Sequence, residues 1–527
     1  MKGISKMSAQ IIDSKKAAEL IEDGVCVALD GCLGTDVAEE ILEDMKERFQ
    51  KTGHPKDLDV WYGCGIGDNH GSAVENFAEK GMLKRVVGGL WSLAPKLAPM
   101  VANNDFEAFN FPQGTISQLF RDAAAHRPVL VTHTGLGTFV DPENDGGRLN
   151  EAAKNSTLVN RIKIHGKDYL AYETPKPDVA IFRGTYADEN GNITFDDEPL
   201  TMDVTAIAMA AHNNGGKVIV QVKRIVRNGS LDPKAVKVPG VLVDYVVPTD
   251  NPEMTKQTNE FVYNPDIIKS NIVKDADSFD LPLDKKKVIA RRAAFIFNPD
   301  TDHCVNFGIG QYPMYCAMVM KEEGLSDNIV TTVEAGTFGG TSLGGPNFGT
   351  AIAPQATIDE PYMFDFYNGG GLDITYLGLA EADEKGNLNV SKFGPKIAGT
   401  GGFVDITQYT PKIVFTGTFT AAGLKEEIKD GKLHIIQEGK VKKFVKNVQQ
   451  ITFSGKVAYD SNQEVWYVTE RAVFKLVKDG LELVEIAPGI DLQKDILDQM
   501  EFKPIISDNL KEMDSRIFEE PVMNIKD

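Results

Sequence analysis

The chain has 527 residues, of which 42% are hydrophobic and 25% charged, and its formal net charge is −20. This length exceeds what one hydrophobic core usually serves, so we expect two domains or one duplicated globular domain. The acidic balance excludes a general nucleic-acid binder, because contacts to phosphates need a basic face.

The N-terminus contains no apolar stretch of signal-peptide length, and nowhere do eighteen apolar residues follow one another. We therefore expect neither export nor a membrane span. Five cysteines without a C-x-x-C pair favour a reducing cytoplasm: Cys26, Cys32, Cys64, Cys304 and Cys316. The eight histidines are scattered without the spacing of zinc ligands, so the sequence predicts no metal site.

The first elements in chain order are a short strand, two glycines and a helix. The strand begins at Val27, and the glycines are Gly31 and Gly34. Asp36 and Glu39 have the spacing of a capping box, which predicts a helix start here. The helix would bury one face, marked by residues four apart: Val37, Ile41, Met45 and Phe49.

Further along, short apolar runs alternate with helical stretches. The runs Val129 to Val131 and Val218 to Val220 read as strands covered on both faces. Polar turns around Gly191 and Gly386 predict hairpins. The whole pattern is that of an α/β protein with parallel and mixed sheets flanked by helices.

An internal repeat organises the chain. The segment from Pro177 to Phe195 returns from Gly371 to Val390, and Asp188 and Asp383 define a spacing of 195 residues. The same spacing relates Lys217 to Lys412, and constant spacing over about thirty residues indicates a duplication. An earlier block aligns Gly31 with Gly308, at a spacing of 277.

The repeat predicts two related α/β domains, at residues 8–248 and 285–518, joined by a linker at residues 249–284. The linker is rich in proline, aspartate and asparagine and lacks periodicity. A basic amphipathic helix from Asp284 to Phe295 would open the second domain, with its lysines as a solvated face. Lys440 to Lys443 is expected to be a solvated edge.

Glu334 is the first candidate for chemistry. It ends the apolar run from Asn328 and is followed at once by Ala335, Gly336 and the glycine pair Gly339-Gly340. A buried carboxylate beside bare backbone, without a neighbouring lysine or arginine, suits a nucleophile whose ionisation must be compensated by amides or substrate. The alternative is a strand-end glutamate that points into solvent.

Two glycine loops are the other candidates. Gly308-Ile309-Gly310 ends a strand and precedes a helix, a place where backbone amides accept anions. Gly399-Thr400-Gly401-Gly402 can bring amides close to a developing oxyanion, although a tight turn is an equal alternative. No complete dinucleotide fingerprint and no phosphate-binding G-x-x-x-x-G-K-[ST] loop occurs, which disfavours nucleotide-dependent chemistry.

Gly340 to Gly344 matches the G-x-S-x-G pattern of a nucleophile elbow, with Ser342 as the serine. An elbow runs directly into a helix, whereas Gly345 and Pro346 follow here. We therefore disfavour a serine hydrolase.

The motifs together resemble family I coenzyme A transferases. The match rests on Val333-Glu334-Ala335-Gly336, on the two glycine loops in the same order and spacing, and on Phe111-Pro112-Gln113-Gly114. Within that family the chain is similar to the single-chain acetate/propionate branch, and the resemblance extends over nearly the whole chain. Succinyl-CoA:3-ketoacid relatives have Ser-Glu-Asn-Gly where this chain has Val-Glu-Ala-Gly, so their neighbouring polar contacts do not carry over.

The resemblance implies roles for individual residues. Glu334 would form the acyl anhydride and the coenzyme A thioester, and Gln113 would face the reacting carbonyl. The backbone at Gly401 and Gly402 would belong to the oxyanion loop. The residues near coenzyme A or substrate would be Gly308, Ile309, Gly310, Gly336 and Gly399.

The resemblance also implies an activity: transfer of coenzyme A from a short-chain acyl-CoA to a carboxylate such as acetate or propionate. Coenzyme A is then a substrate, and no cofactor is needed. A homotetramer or homodimer is expected, in the cytoplasm, without nucleic-acid or membrane partners. Two alternatives stay open: an acyl-CoA hydrolase that uses the same glutamate, and a sensor that binds without turnover.

Overall fold

A computed structural model describes residues 9–270 and 281–525. Its centre is formed by two large β-sheets, one in each half of the chain, with helices packed against them. The helices are Ser14–Glu19, Glu39–Thr52, Leu97–Ala102, Gln113–Ala124, Val204–Asn213, Lys285–Ala294, Gln311–Glu322, Glu360–Asn368, Phe403–Tyr409 and Gly455–Asp460. The predicted α/β class is confirmed.

The N-terminal sheet has eight neighbouring parallel strands. In spatial order they are Gln10–Ile11, Tyr245–Pro248, Lys217–Val226, Val179–Asp188, Cys26–Leu29, Leu58–Tyr62, Leu83–Gly88 and Glu107–Asn110, with Ile193–Thr194 and Val236–Val238 off this path. Val218 and Val220 pack into one hydrophobic cluster and Ile219 into another. Alternate side chains thus bury both faces of the sheet, as predicted for this run.

The C-terminal sheet is mixed. In spatial order its strands are Ala356–Thr357, Thr337–Phe338, Val330–Val333, Cys304–Phe307, Ile374–Gly378, Lys412–Thr416, Glu464–Val468, Ala472–Val477, Gly480–Ile486 and Ile505–Glu512. The five from Val330–Val333 to Glu464–Val468 are parallel. Antiparallel neighbours extend the sheet on both sides.

The strand registers confirm the duplication. Val179 pairs with Lys217 in the first half, and Ile374 pairs with Lys412 in the second, each 195 residues further on. The turns repeat as well, because Asp188 accepts the side-chain amide of Asn192 at 2.9 Å and Asp383 accepts that of Asn387 at 3.0 Å. For the earlier block the registers relate Leu29 to Phe307, a spacing of 278 that corrects the expected 277.

Smaller sheets lie outside these two. They comprise Val129–Thr132, Lys167–Glu173 and Val159–Ile164; Glu381–Asp383, Leu388–Asn389 and Phe444–Val445; and the pairs Thr341–Ser342 with Ala351–Ile352, Lys392–Phe393 with Lys396–Ile397, Thr420–Ala421 with Val441–Lys442, and Lys425–Lys429 with Lys432–Gln437. The strand at Val129 was expected to be covered on both faces, and this was wrong. Val129 and Val131 are exposed, because their strand belongs to a small antiparallel sheet.

The first long helix begins later than its capping-box pattern predicts. Glu39 is its first residue, and Asp36 lies before it with a positive φ of 62°. The Asp36 carbonyl instead accepts the Arg183 amide at 2.9 Å, so this residue is hydrogen-bonded to the strand that carries Arg183. Ile41 and Met45 are buried on the helix as predicted.

Two expected solvated segments are partly buried. In helix Lys285–Ala294, Lys287 is buried and its Nζ lies 2.8 Å from a Glu322 carboxylate oxygen. Arg291 is buried too and donates to the Pro521 carbonyl at 2.9 Å, because the C-terminal segment covers this helix. Lys443 is enclosed as well, and burial lowers its pKa to about 8.

The predicted domain limits, 8–248 and 285–518, stay a prediction; residue 8 and residues 271–280 of the predicted linker lie outside the described residues. The described part of that linker packs tightly. Gln257, Thr258 and Ile267 are buried, and the Thr258 hydroxyl donates to the Asn347 side chain at 2.6 Å. Residues 249–270 therefore contact both halves.

No helix in the part of the chain that the structure describes is long and apolar enough to cross a membrane.

Candidate active site

Glu334 lies directly after the strand Val330–Val333, at its carboxyl end. The parallel neighbour Cys304–Phe307 ends at the same edge of the sheet and continues into the Gly308–Gly310 loop. Carboxyl ends of parallel strands are where α/β proteins bring loops together around a ligand. Glu334 is 6% exposed, so the alternative of a solvated strand-end glutamate does not hold for this structure.

The carboxyl group of Glu334 is poorly compensated. Within residues 9–270 and 281–525, its Oε2 has no hydrogen-bond partner and the carboxyl group makes no ion pair. Burial raises the pKa of Glu334 to about 7, opposed only by a hydrogen bond from its own backbone. A side chain held this way is costly to ionise without substrate and reactive once ionised.

The Gly399–Gly402 loop separates Glu334 from Gln113. A Cβ atom on Gly402 would lie 3.4 Å from both Cβ and Cγ of Glu334, so this glycine lies next to the Glu334 side chain. At Gly401 a Cβ atom would lie 3.7 Å from Oε1 of Gln113. The Gln113 amide donates to the Gly401 carbonyl at 3.0 Å. Two adjacent glycines thus face the two predicted catalytic side chains.

The same loop joins the two halves of the chain. The Gly401 amide donates to the Gly89 carbonyl at 2.8 Å, and the Trp91 amide donates to the Ala398 carbonyl at 2.8 Å. Gly399 has φ of +80°, and a Cβ there would lie 2.8 Å from the Trp91 nitrogen. The Gly401 N–H is therefore occupied, whereas within residues 9–270 and 281–525 the Gly402 N–H has no partner.

Gln113 is the first residue of helix Gln113–Ala124 and is 2% exposed. Its Nε2 donates to Oε1 of Glu360, the first residue of helix Glu360–Asn368 in the other half. The Ser117 hydroxyl, one turn further along helix Gln113–Ala124, donates to Oε2 of Glu360 at 2.9 Å. One buried carboxyl group therefore contacts two side chains on one helix face.

Further acids lie behind this contact. The Ser117 hydroxyl is 3.2 Å from Oδ2 of Asp203, and the Asp203 amide donates to Oδ1 of Asp30 at 2.9 Å. Burial, and then the neighbouring Asp203, raise the pKa of Glu360 well above its ordinary value. Burial likewise raises the pKa of Asp203 to about 7. Burial and the proximity of the two carboxyl groups therefore both favour the protonated forms of Glu360 and Asp203.

The remaining predicted residues lie around the same sheet edge. The Gly308 amide donates to the Tyr376 carbonyl at 2.9 Å, and Ile309 is 54% exposed beside it. Gly310 has φ of +138° and precedes helix Gln311–Glu322. Gly336 has φ of +112°, and a Cβ there would lie 2.1 Å from the Ile358 carbonyl oxygen. Gly336 thus permits a close backbone approach next to Glu334.

The serine pattern is not an elbow. Ser342 lies in the short strand Thr341–Ser342, which pairs with Ala351–Ile352, and the next turn is a single 3-10 turn at Gly345–Asn347. No helix follows the serine directly, as the sequence predicted.

The sequence did not point to Glu360, Asp203 or Asp30 as neighbours of the candidate site. The only local signal was an acid next to the end of an element, as in Leu29-Asp30 and Asp359-Glu360.

Comparisons with known proteins identify similar chains. The family model for coenzyme A transferase matches residues 11–249. The acetate CoA-transferase YdiF of Escherichia coli K12 is 41% identical over 514 residues, covering 97% of this chain and 96% of that protein. The caffeate CoA-transferase of Acetobacterium woodii is 45% identical over 526 residues, covering 97% and 98%.

A solved structure is similar over the same length. The crystal structure of the YdiF acyl-CoA transferase of Escherichia coli O157:H7, as a thioester complex with CoA, matches with a TM-score of 0.91 at 40% identity. The match covers 98% of this chain and 97% of that one. Both sheets and the loops at their edges fall within the matched length.

Proposed function

The chain belongs to the family I coenzyme A transferases, and we propose that it moves coenzyme A from a short-chain acyl-CoA to a free carboxylate by way of Glu334. The observation that carries this proposal is the burial of Glu334 without a counter-charge, against the bare backbone of Gly402. That environment suits a carboxylate nucleophile whose charge is consumed in the first covalent step.

The first step joins Glu334 to the acyl group. An ionised carboxylate oxygen attacks the thioester carbonyl, the C–S bond breaks, and coenzyme A leaves as a thiolate beside a mixed anhydride. The thiolate then attacks the glutamyl carbonyl and the donor acid leaves. The product is a glutamyl-CoA thioester, from which an acceptor carboxylate recovers an acyl-CoA by the reverse steps. The thioester crystal form of YdiF supports this intermediate by analogy.

Each addition creates an oxyanion that needs hydrogen-bond donors. Among the described residues the Gly402 N–H has no partner, and Nε2 of Gln113 carries two hydrogens, of which Glu360 takes one. We infer that these two groups serve the oxyanion. A fixed donor in a water-poor site stabilises such a charge by about 3 kcal/mol. Gly401 contributes by its backbone conformation, because its N–H is held by Gly89.

For the acceptor we propose acetate or another short-chain acid such as propionate. The acetate CoA-transferase YdiF supports acetate, whereas the caffeate CoA-transferase acts on a larger acid at similar identity. A methylene group changes discrimination by only about 1–3 kcal/mol, so few side chains decide the choice. The predicted cytoplasmic location and homo-oligomer belong to this proposal as well.

An acyl-CoA hydrolase is the alternative on the same glutamate. Water would replace the acceptor acid and release free coenzyme A. The burial of Glu334 favours transfer, because a covalent anhydride or thioester survives only where water is scarce.

The proposal is tested by steady-state kinetics with a panel of acids from acetate to caffeate and acetyl-CoA as donor. Double-reciprocal plots should give parallel lines, as a covalent intermediate requires. Glu334→Ala should abolish transfer without loss of the fold, because this side chain follows the strand and makes no ion pair. Persistent transfer in Glu334→Ala would contradict the assignment.

A further inference from the structure

We propose that Glu360 is a positioning residue for the transfer reaction, which holds the carboxamide of Gln113 in its working orientation across the seam between the two halves. This inference rests on the proposed role of Glu334 and Gln113. It adds a residue that is absent from every motif in the sequence and is 247 positions away from the side chain that it holds.

Hydrogen bonds hold Gln113 at its side-chain nitrogen and at its backbone N–H. Nε2 donates to Oε1 of Glu360, and Oε1 of Gln113 faces Gly401. The backbone N–H of Gln113 donates to the Gly401 carbonyl at 3.0 Å. With Glu360 as acceptor, the amide nitrogen is turned toward the acid and keeps one hydrogen for the reaction. A buried carboxamide without this partner could rotate by a half-turn and present its oxygen.

Glu360 is itself held rigidly. It is fully buried at the first turn of helix Glu360–Asn368, and its amide donates to the Met202 carbonyl at 2.9 Å. Its second oxygen accepts the Ser117 hydroxyl at 2.9 Å. Asp203, which contacts the same hydroxyl, lies on that side of the carboxyl group. A proton retained by these acids can therefore sit away from Gln113, which leaves Oε1 free to accept.

These contacts preorganise the Gln113 carboxamide for the reaction. The donor for the oxyanion is oriented before substrate arrives, so no rotation of Gln113 is needed during the reaction. The alternative is a purely structural contact between two helices. Asp365 supplies that comparison, because it accepts Gln118 at 2.9 Å and pairs with Arg121 between the same helices without touching Gln113.

The test compares Glu360→Met, Glu360→Gln and Asp365→Asn in the full-length protein, with and without Gln113→Ala. Met removes the acceptor with little change in volume, and replacing a buried acid by an apolar side chain need not destabilise the fold. We expect E360M to lower kcat by about tenfold or more, with the KM for acyl-CoA within about threefold. E360Q keeps an oxygen acceptor and should have most of the wild-type activity. D365N should have the full wild-type activity.

The double variant decides whether Glu360 acts through Gln113. In the Gln113→Ala background, E360M should lower kcat by less than about a further twofold, because the side chain that Glu360 orients is absent. An equal loss in both backgrounds, full activity of E360M, or a D365N defect as large as that of E360M would overturn the proposal. If E360M does not fold, Glu360→Ala takes its place in the same comparison.

Failure of this inference is distinguishable from failure of the proposed function. Wild-type protein treated with acyl-CoA and borohydride reports on Glu334 alone. A modified Glu334 peptide with a normal E360M rate rejects only the role of Glu360, whereas an unmodified peptide in the wild type rejects the nucleophile itself.

Discussion

At the scale of single residues, Glu334 is one of several buried acids that make no ion pair within the described part of the chain, as are Glu360 and Asp405. Many buried acids of this chain have a basic partner, as Glu198 has in Arg183 at 2.7 Å. Glu334 makes no ion pair within the described residues, and burial raises its pKa to about 7. Its environment therefore makes two properties depend on pH: the rate of the first covalent step and the stability of the fold.

The rate should follow ionisation of Glu334. Only the carboxylate attacks, so kcat/KM for acyl-CoA should rise about tenfold per pH unit below about 7 and level off above it. Measured initial rates between about pH 5.5 and 8.5 test this. Asp405 provides the control, because burial raises its pKa to about 7 as well. The Asp405→Asn variant should keep the same rise of kcat/KM with pH. A flat profile in the wild type would contradict the assignment.

Stability should show the opposite trend. The pKa of Glu334 is raised on folding, so the unfolded chain loses this proton first, and native stability falls as pH rises from about 4.5 to about 7. That difference corresponds to about 3 kcal/mol. Glu334→Gln should therefore raise the unfolding temperature at pH 8 and leave it nearly unchanged at about pH 4.5. Calorimetry at the two values checks this, and an equal gain at both would contradict it.

The sequence suffices to predict the position of Glu334 at the end of a strand, but not the residues around it. A strand pattern that ends in an acid and a glycine loop is local information, and the structure puts Glu334 where that pattern predicts. Glu360 and Asp203 become neighbours of Gln113 only through folding, because Glu360 and Gln113 come from different halves. Their burial depends on long-range packing, which single-sequence periodicity does not encode.

At the scale of elements, the Gly399–Gly402 loop lies between the proposed nucleophile Glu334 and the proposed oxyanion donor Gln113. The last two glycines of this loop differ in backbone conformation. Gly402 has φ of −79°, which any residue adopts, whereas Gly401 has φ of +52°, in the left-handed region. Alanine substitutions at these neighbours should thus separate crowding of the site from strain of the backbone.

Gly402→Ala should lower kcat by about tenfold or more while changing the unfolding temperature little, because the new methyl group meets Glu334 at 3.4 Å without backbone strain. Gly401→Ala is the matched control and should cost about 1 kcal/mol of stability. Kinetics and thermal unfolding of both variants check the prediction. A Gly402→Ala enzyme with wild-type kcat would show that the loop does not limit access to Glu334.

Other elements show where local patterns fail. The capping box at Asp36 and Glu39 placed a helix start too early, because Asp36 instead takes a positive φ and its carbonyl binds the strand amide of Arg183. The strand at Val129 is as apolar in sequence as the buried strand at Val218, and only the sheet to which each belongs distinguishes them. Tertiary contacts overrode local preference in both cases.

At the scale of the whole molecule, duplication provides two sheets whose loops meet at one site. Gln113 and Gly89 come from the first half, and Glu334, Glu360 and Gly401 from the second. The constant spacing of 195 residues made the two halves predictable from sequence, and the strand registers confirm it. Which side chains meet across the seam could not be predicted, because the repeat relates equivalent positions and not contacting ones.

This enclosure should suppress hydrolysis. With acetyl-CoA and no acceptor acid, wild-type protein should release coenzyme A at least about a hundredfold more slowly than it transfers coenzyme A to its best acceptor, because water is excluded from the covalent intermediates. A thiol assay with and without acceptor measures both rates, and Glu334→Ala gives the background. Comparable rates would instead support the hydrolase alternative.

The central claim is that Glu334 itself becomes covalently bonded to coenzyme A. The most direct measurement is mass spectrometry of the peptide containing Glu334 after incubation with acyl-CoA alone, with and without borohydride reduction. We expect a coenzyme A adduct on Glu334 that borohydride converts to the alcohol with loss of activity, and that added acetate removes. An unmodified Glu334 peptide in a protein that still catalyses transfer would contradict it.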